Sequence, residues 1–137
     1  MAAISVSRKP WWRRWFGNRS ERAAARYLRR LGYRILSRNY ACQYGELDLV
    51  ALEGRCVVFV EVRSTEGAVE RAAASVDDAK QRRLTRLALH YLQQHQLLDV
   101  AARFDVLALS WPIGQSEPCV EHHRQAFEAV GRFQMYS

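Results

Sequence analysis

Two short apolar runs separated by a glycine form the clearest pattern of hydrophobic and polar positions in this chain. They cover residues 45–52 and 56–63, and both are rich in residues that favour strands. Gly54 and Arg55 fit a two-residue turn with glycine first, which would pair Glu53 with Cys56. The pattern therefore predicts a β-hairpin in the middle of the chain.

The register of this hairpin determines which side chains share a face. It places Asp48 opposite Glu61 and Glu46 opposite Arg63, and it leaves the other face purely aliphatic. The aliphatic residues are Leu47, Leu49, Ala51, Val58, Val60 and Val62. Because two facing carboxylates destabilise a sheet, local stability does not explain Asp48 and Glu61. A bound divalent cation would explain the pair, and an ion-pair network with Arg63 is the structural alternative.

The other periodic segments predict an α/β fold, a mixed sheet flanked by helices in the order αβββαβ. A first helix over residues 21–31 would begin at the N-cap Ser20 and end at Gly32. Ser75 and Asp78 resemble a capping box that opens a long helix to about Gln96. The remaining predicted elements are strands over residues 33–42, 103–109 and, more weakly, 119–122, a loop over 64–74 and a short helix near 125–130.

Length and composition limit the class of protein. A chain of 137 residues, 49% of them hydrophobic, can form one domain with a substantial core. We divide it into an N-terminal arm, residues 1–17, and a single domain, residues 18–137. No apolar stretch approaches the roughly 20 residues that span a bilayer, and the N-terminus does not read as a secretory signal. The three cysteines fit reduced thiols. We therefore expect a cytoplasmic protein without stable membrane insertion.

Positive charge is concentrated at the N-terminal end. The net charge is +7, and residues 1–31 hold nine arginine or lysine side chains against Glu21 alone. This distribution suits a polyanion, for which nucleic acid is the commonest candidate. The residues expected to contact it are Arg13, Arg14, Arg22, Arg26 and Lys80. The aromatic residues within 11–16 could stack on unpaired bases, lie on an anionic membrane surface or belong to an unstructured tail.

Charged residues on the predicted helices and on a later strand extend the set of candidates. Glu21 shares a face with apolar residues of the first helix, although it could simply complement the helix dipole. Lys80 lies four residues before Leu84 on the apolar face of the long helix, so we expect it to point toward the sheet. The alternative is a stem packed at the edge of the core with its ammonium group in water. Asp105 is expected to anchor a strand or to pair with an arginine.

Asp48, followed after a short hairpin by Glu61-Val62-Arg63, resembles the PD-(D/E)xK signature of restriction-endonuclease-like nucleases. A fuller pattern consists of the segments ARYL, GYRIL, RN, GELDL, VFVEVR and RFDV together with Lys80. This pattern resembles the bacterial YraN-type family UPF0102, which is itself similar to archaeal Holliday-junction resolvases. The resemblance extends from about residue 19 to residue 127.

The resemblance implies the restriction-endonuclease-like fold and an acidic cluster at Glu21, Asp48 and Glu61. In that cluster Asp48, Glu61 and the Val62 carbonyl would hold Mg²⁺ or Mn²⁺ through oxygen ligands. Glu21 would bind the metal through water or recruit a second ion, and Lys80 would face the scissile phosphate.

Arg63 stands where the nuclease signature has lysine. A guanidinium cannot take a proton from water, although it can clamp a phosphate. The expected function is therefore a metal-dependent, resolvase-like endonuclease acting on branched or otherwise structured DNA. The alternative is a non-catalytic nucleic-acid-binding module of a DNA-processing complex. Because resolvases that cut two strands often act as dimers, a homodimer is expected by analogy.

Overall fold

A five-stranded mixed sheet carries one helix on each face. The computed structural model describes residues 11–65 and 76–127. The helices are α1 (Trp11–Arg30) and α2 (Asp78–Gln94), and the strands are β1 (Arg34–Cys42), β2 (Gly45–Glu53), β3 (Cys56–Thr65), β4 (Ala102–Ser110) and β5 (Cys119–Phe127). The strand order is β1-β2-β3-β4-β5, with β3 and β4 parallel and the other neighbours antiparallel. The predicted mixed sheet flanked by helices is confirmed, with one more strand than the predicted order.

Each face of the sheet has its own core. The core on the α1 side contains Ala23, Ala24, Leu28, Tyr33, Leu49, Ala51, Val58, Val60, Leu107 and Leu109. The core on the α2 side includes Val50, Val57, Phe59, Leu84, Leu87, Ala88, Tyr91, Leu92, Phe104 and Val106. In both helices the apolar residues recur at intervals of three and four, which places them on one side. The central strands β3 and β4 are covered on both faces, and for this reason they read as nearly continuous apolar runs.

The predicted hairpin is confirmed for the residue pairs next to its turn. Glu53 pairs with Cys56, and the same register continues to Leu49 and Val60. Gly54 has a φ of +60°, a left-handed conformation that glycine adopts without a steric penalty. The turn chemistry therefore fixes the register of β2 against β3.

Both helices begin at positions other than the predicted N-caps. Helix α1 begins at Trp11, so Ser20 lies within it, buried, instead of capping it. Its hydroxyl serves tertiary contacts, since it donates to the Ser64 hydroxyl at 2.9 Å. Gly32, with a φ of +96°, follows the end of α1 as predicted. Helix α2 begins at Asp78 with Asp77 as its N-cap.

Strand β5 takes up residues 125–127 of the short helix predicted near residues 125–130. It extends to Phe127, which pairs with Phe104 of β4 across an irregularity in the ladder. The two rings also stack, with centroids 4.6 Å apart. Pairing and ring stacking with a distant strand therefore outweigh the local helical pattern.

Several predictions fall on residues outside the described ranges. These are the arm residues 1–10, the loop residues 66–74, Ser75 and residues 128–130. Residues 11–17 of the predicted arm continue α1 as helix. Helix α2 ends at Gln94, two residues before the predicted end. Neither α1 nor α2, the two helices of the described residues, is long and apolar enough to cross a membrane.

Candidate functional site

The regular pairing of β2 with β3 gives way to a side-chain contact at Asp48. The ladder runs as far as Leu49 and Val60, and its register would next bring Asp48 opposite Glu61 and then Leu47 opposite Val62. Instead, the backbone N–H of Val62 donates to Oδ2 of Asp48 at 2.9 Å. The carboxylate of Asp48 thus takes the place of a backbone carbonyl at the end of the ladder.

Leu47 changes face as a consequence. The register predicted it beside Leu49 on the aliphatic face, but Leu47 lies in the core on the α2 side and Leu49 in the core on the α1 side. With Phe59 and Leu84, Leu47 lines a small cavity of about 10 Å³. The prediction for Leu47 was wrong because strict alternation of side chains holds only while the strand stays in its ladder.

The carbonyl of Val62 lies on the same side of β3 as Asp48. In a strand, the N–H and C=O of one residue point toward the same neighbouring strand. Since the N–H of Val62 points to Asp48, its carbonyl also points toward the end of β2. A cation held by both the Asp48 carboxylate and the Val62 carbonyl would have to lie on this side.

Lys80 reaches Glu61 from α2. Its Nζ lies 2.6 Å from Oε2 of Glu61, and the two side chains are 28% and 14% exposed, respectively. Lys80 stands in the first turn of α2, where the N-cap Asp77 accepts its backbone N–H at 2.8 Å. The expectation that Lys80 points toward the sheet is confirmed. Its ammonium charge offsets the carboxylate charge of Glu61 and so reduces the repulsion between Glu61 and Asp48.

Glu21 lies beside the same end of β3, on the face covered by α1. The hydrogen bond between Ser20 and Ser64 joins α1 to the residue three positions after Glu61. Glu21 follows Ser20 and is only 9% exposed. Because α1 begins ten residues earlier at Trp11, Glu21 is too far from the N-terminus to complement the helix dipole, an effect limited to the first turn.

Arg63 shares the face of Glu61. It pairs with Ala108 in the parallel ladder between β3 and β4. Since side chains alternate along a strand, Glu61 and Arg63 point to the α2 side, whereas Val60 and Val62 pack toward α1. Arg63 therefore lies on the face of β3 that also carries Glu61.

The donor set suits a hard divalent cation. Two carboxylates, of Asp48 and Glu61, and one backbone carbonyl are oxygen ligands of the kind that Mg²⁺ and Mn²⁺ prefer. Among residues 11–65 and 76–127, no three acidic, histidine or cysteine side chains converge into a metal-binding group. Solvent would therefore supply the remaining ligands, as is usual for Mg²⁺ in proteins.

The predicted nucleic-acid contacts lie mainly on α1. Arg22 and Arg26 are exposed, one helical turn apart. Arg13 and Arg14 belong to α1 by their backbone, and their side chains lie outside the described part of the structure. Lys80 lies across the sheet from α1 and pairs with Glu61.

A second basic surface, not predicted from the sequence, lies next to the site on α2. Arg83 and Arg86 are exposed and follow Lys80 at intervals of three residues. A side chain at Gly45 would meet Leu87 at 3.6 Å and Arg83 at 3.9 Å, so the start of β2 packs against this part of α2. The guanidinium of Arg86 lies 5.9 Å from the ring centre of Tyr44. The spacing of Lys80, Arg83 and Arg86 was the signal in the sequence that could have revealed this surface.

Asp105 forms the centre of a buried polar cluster on the α1 side. It accepts hydrogen bonds from Arg103 Nε at 2.9 Å and from His122 Nε2 at 2.8 Å. Burial raises the pKa of Asp105, but these bonds and the backbone N–H of Gln125 outweigh burial and hold the pKa below its usual value. Arg103 also pairs with Glu53 at 2.7 Å. The predicted pairing of Asp105 with an arginine is confirmed.

Comparison with known proteins identifies the family. The model described as "Uncharacterised protein family UPF0102" matches residues 20–109, which include Glu21, Asp48, Glu61 and Lys80. A UPF0102 protein of Rhodopirellula baltica is 44% identical over 119 residues, covering 84% of this chain and 71% of the relative. A UPF0102 protein of Geobacter sulfurreducens is 44% identical over 115 residues, covering 82% of this chain and 88% of the relative. One from Chloroflexus aurantiacus is 48% identical over 99 residues, covering 72% and 81%, respectively. The chain therefore belongs to the UPF0102 family.

Proposed function

We propose that this protein is a metal-dependent endonuclease that acts on branched or otherwise structured DNA. The observation that carries the proposal is the meeting of Asp48, Glu61 and Lys80 where the pairing of β2 with β3 ends. Asp48 bonds the backbone next to Glu61, and Glu61 bonds Lys80. The resemblance of this segment to the nuclease signature supports the same chemistry.

In the proposed reaction, Asp48, Glu61 and the Val62 carbonyl would hold Mg²⁺ or Mn²⁺. The cation would supply a water of lowered pKa and would neutralise charge on the attacked phosphodiester. Glu21, on the α1 side, would bind the cation through water or recruit a second ion. Lys80 exchanges its contact with Glu61 for the scissile phosphate, and Arg63 clamps a neighbouring phosphate through its planar guanidinium.

The partner in this proposal is nucleic acid in the cytoplasm. Basic side chains on both helices would hold the phosphate backbone, with Arg83 and Arg86 nearest the site. A homodimer would bring two such sites to the two strands of a junction, and this element rests on analogy with resolvases.

A second candidate function is a nucleic-acid-binding module without turnover. Two observations favour it. Arg63 occupies the position at which the nuclease signature has lysine, and it cannot serve as a proton acceptor. The Lys80 ammonium lies 2.6 Å from Oε2 of Glu61, so a metal would have to share that oxygen with the ammonium or displace it.

Incubation of the purified protein with labelled four-way junctions, flaps, duplex and single strands tests the proposal. We expect cleavage of the branched substrates in Mg²⁺ or Mn²⁺, and none with Asp48→Asn or Glu61→Gln. Glu117→Gln, which removes an exposed carboxylate from the loop between β4 and β5, is the matched control and should cleave normally.

The outcomes separate the two candidates. Salt-sensitive binding of the same substrates without products would support the binding module. Equal cleavage by Asp48→Asn and wild type would show that Asp48 takes no part in the reaction. Absence of both binding and cleavage at low salt would overturn both functions.

A further inference from the structure

An arginine and a tryptophan are stacked beside the end of the parallel strands. The Cζ atom of Arg19 lies 3.4 Å from the ring centre of Trp111. At van der Waals distance the planar guanidinium can only lie nearly flat on the ring. Arg19 is exposed, whereas Trp111 is partly buried and packs against the core on the α1 side. The pair thus presents the outer face of the guanidinium to solvent.

Hydrogen bonds hold this pair in place. The indole Nε1 of Trp111 donates to the Ser20 hydroxyl at 3.1 Å, and that hydroxyl donates to Ser64 at 2.9 Å. The chain of contacts fixes the ring relative to α1, β3 and the end of β4. A guanidinium supported by a fixed ring loses little conformational freedom when another planar group stacks on it.

The stacked pair lies at the same end of the sheet as the candidate site. Trp111 directly follows Ser110, which pairs with Thr65 at the end of β3. Ser64 is three residues beyond Glu61, so it lies roughly 10 Å from Glu61 along the strand. This length corresponds to about three base steps of a duplex strand. Glu61 faces α2 and Ser64 faces α1, so a nucleic acid strand crossing the sheet end would meet both.

The geometry points to Arg19 and Trp111 as a stacking platform for an unpaired base of the bound nucleic acid. Arginine planes and aromatic rings are the groups on which proteins stack splayed bases. The platform would select substrates in which a base near the cleaved phosphate is free to leave the duplex, as at a branch point or an overhang. This inference rests on the proposed function and names the substrate feature that the site selects.

Two labelled duplexes with 3′ extensions of equal length test the platform in the absence of divalent cations. One extension carries adenines and the other consists of abasic sites, so both have the same phosphate charge. Stacking of one base is worth roughly 5- to 100-fold in affinity, and we expect wild type to prefer the adenine extension by about fivefold or more. Arg19→Lys keeps the charge but removes the plane, and it should abolish most of this preference. Arg55→Lys, an exposed position in the turn between β2 and β3, is the matched control and should retain the preference.

Trp111→Leu provides a second variant, because it removes the ring beneath Arg19 while leaving an apolar side chain against the core. It should lose the preference for adenine while its circular dichroism spectrum stays that of the wild type. Equal binding of both extensions by wild type would overturn the platform and leave the proposed function intact. An equal loss in Arg19→Lys and Arg55→Lys would also overturn it. Failure of wild type to bind either duplex at low salt would overturn both.

Discussion

The Oδ2 atom of Asp48 accepts the backbone N–H of Val62 at 2.9 Å, which joins the end of β2 to the segment that carries Glu61. This bond does two things. It terminates the ladder between the two strands, and it holds the Asp48 carboxylate on the side of β3 to which the Val62 carbonyl points. A residue at this position must therefore be an acceptor for the strand to keep its path and an anion for a cation to bind.

These two roles predict different effects for two substitutions of Asp48. Asp48→Asn keeps an oxygen acceptor, and we expect it to lower the free energy of unfolding by less than about 1 kcal/mol. Asp48→Ala leaves the Val62 N–H without its acceptor and should lower it by about 1–3 kcal/mol. Urea denaturation without metal measures both. Equal stability of the two variants would show that the bond does not hold the strand end.

Mn²⁺ binding should depend on both carboxylates. Asp48→Asn and Glu61→Gln each remove a charged oxygen ligand, and each should weaken Mn²⁺ binding at least about tenfold, or 1.4 kcal/mol. Isothermal titration calorimetry gives the dissociation constants, with Glu117→Gln as the control. Unchanged affinity in either variant would exclude that residue as a ligand.

Substitution of Lys80 should separate metal binding from turnover. Its ammonium lies 2.6 Å from Oε2 of Glu61, so Lys80→Met removes a competitor of the cation. We expect Mn²⁺ to bind more tightly to Lys80→Met, while cleavage of a four-way junction falls because the phosphate loses its ammonium partner. Weaker Mn²⁺ binding would show that Lys80 helps to organise the site instead of competing for it.

Local signals in the sequence were sufficient for the hairpin and for Lys80. A glycine-first turn fixes the register from Glu53 to Leu49, and helical spacing alone predicts that Lys80 points toward the sheet. The face of Leu47 could not be predicted, because it depends on a side chain that captures a backbone N–H fourteen residues away.

Long-range contacts explain the other differences from the sequence-based prediction. Ser20 has the side chain of an N-cap, yet its hydroxyl is used by Ser64 and Trp111. Residues near Phe127 have a helical pattern, but pairing with β4 keeps them extended. The cluster around Asp105 joins residues up to 91 positions apart, such as Tyr33 and Arg124, and no sequence spacing indicates it.

The buried carboxylate of Asp105 should make stability sensitive to acid. Its pKa is lowered in the folded protein, so its contribution is complete above the unfolded value of about 3.9 and is lost as the pH falls through the folded pKa. We expect the free energy of unfolding to decline below about pH 4, and to decline less steeply in Asp105→Asn.

At neutral pH, Asp105→Asn should lower the free energy of unfolding by about 3 kcal/mol, because it removes the negative charge that offsets the Arg103 guanidinium in a buried site. Glu53→Gln changes the partly exposed end of the same cluster and should cost less than about 1 kcal/mol. Chemical denaturation at a series of pH values measures both variants. Parallel pH profiles for wild type and Asp105→Asn would contradict the assignment.

The dependence of DNA affinity on salt should distinguish the two basic surfaces. Each side chain that contacts a duplex phosphate contributes about −0.9 to the slope of log affinity against log salt. Replacing both Arg83 and Arg86 by glutamine should flatten the slope by roughly 2 units and reduce cleavage, because they lie beside Gly45 and Tyr44 at the start of the strand that carries Asp48. The same replacement of Arg22 and Arg26 should flatten the slope by a similar amount while cleavage at saturating DNA persists, since α1 lies on the opposite face.

All four arginines are exposed, so the melting temperatures should match that of wild type. An unchanged slope in the α1 variant would show that Arg22 and Arg26 do not contact the DNA. An unchanged slope in the α2 variant would show that DNA does not approach the site along α2.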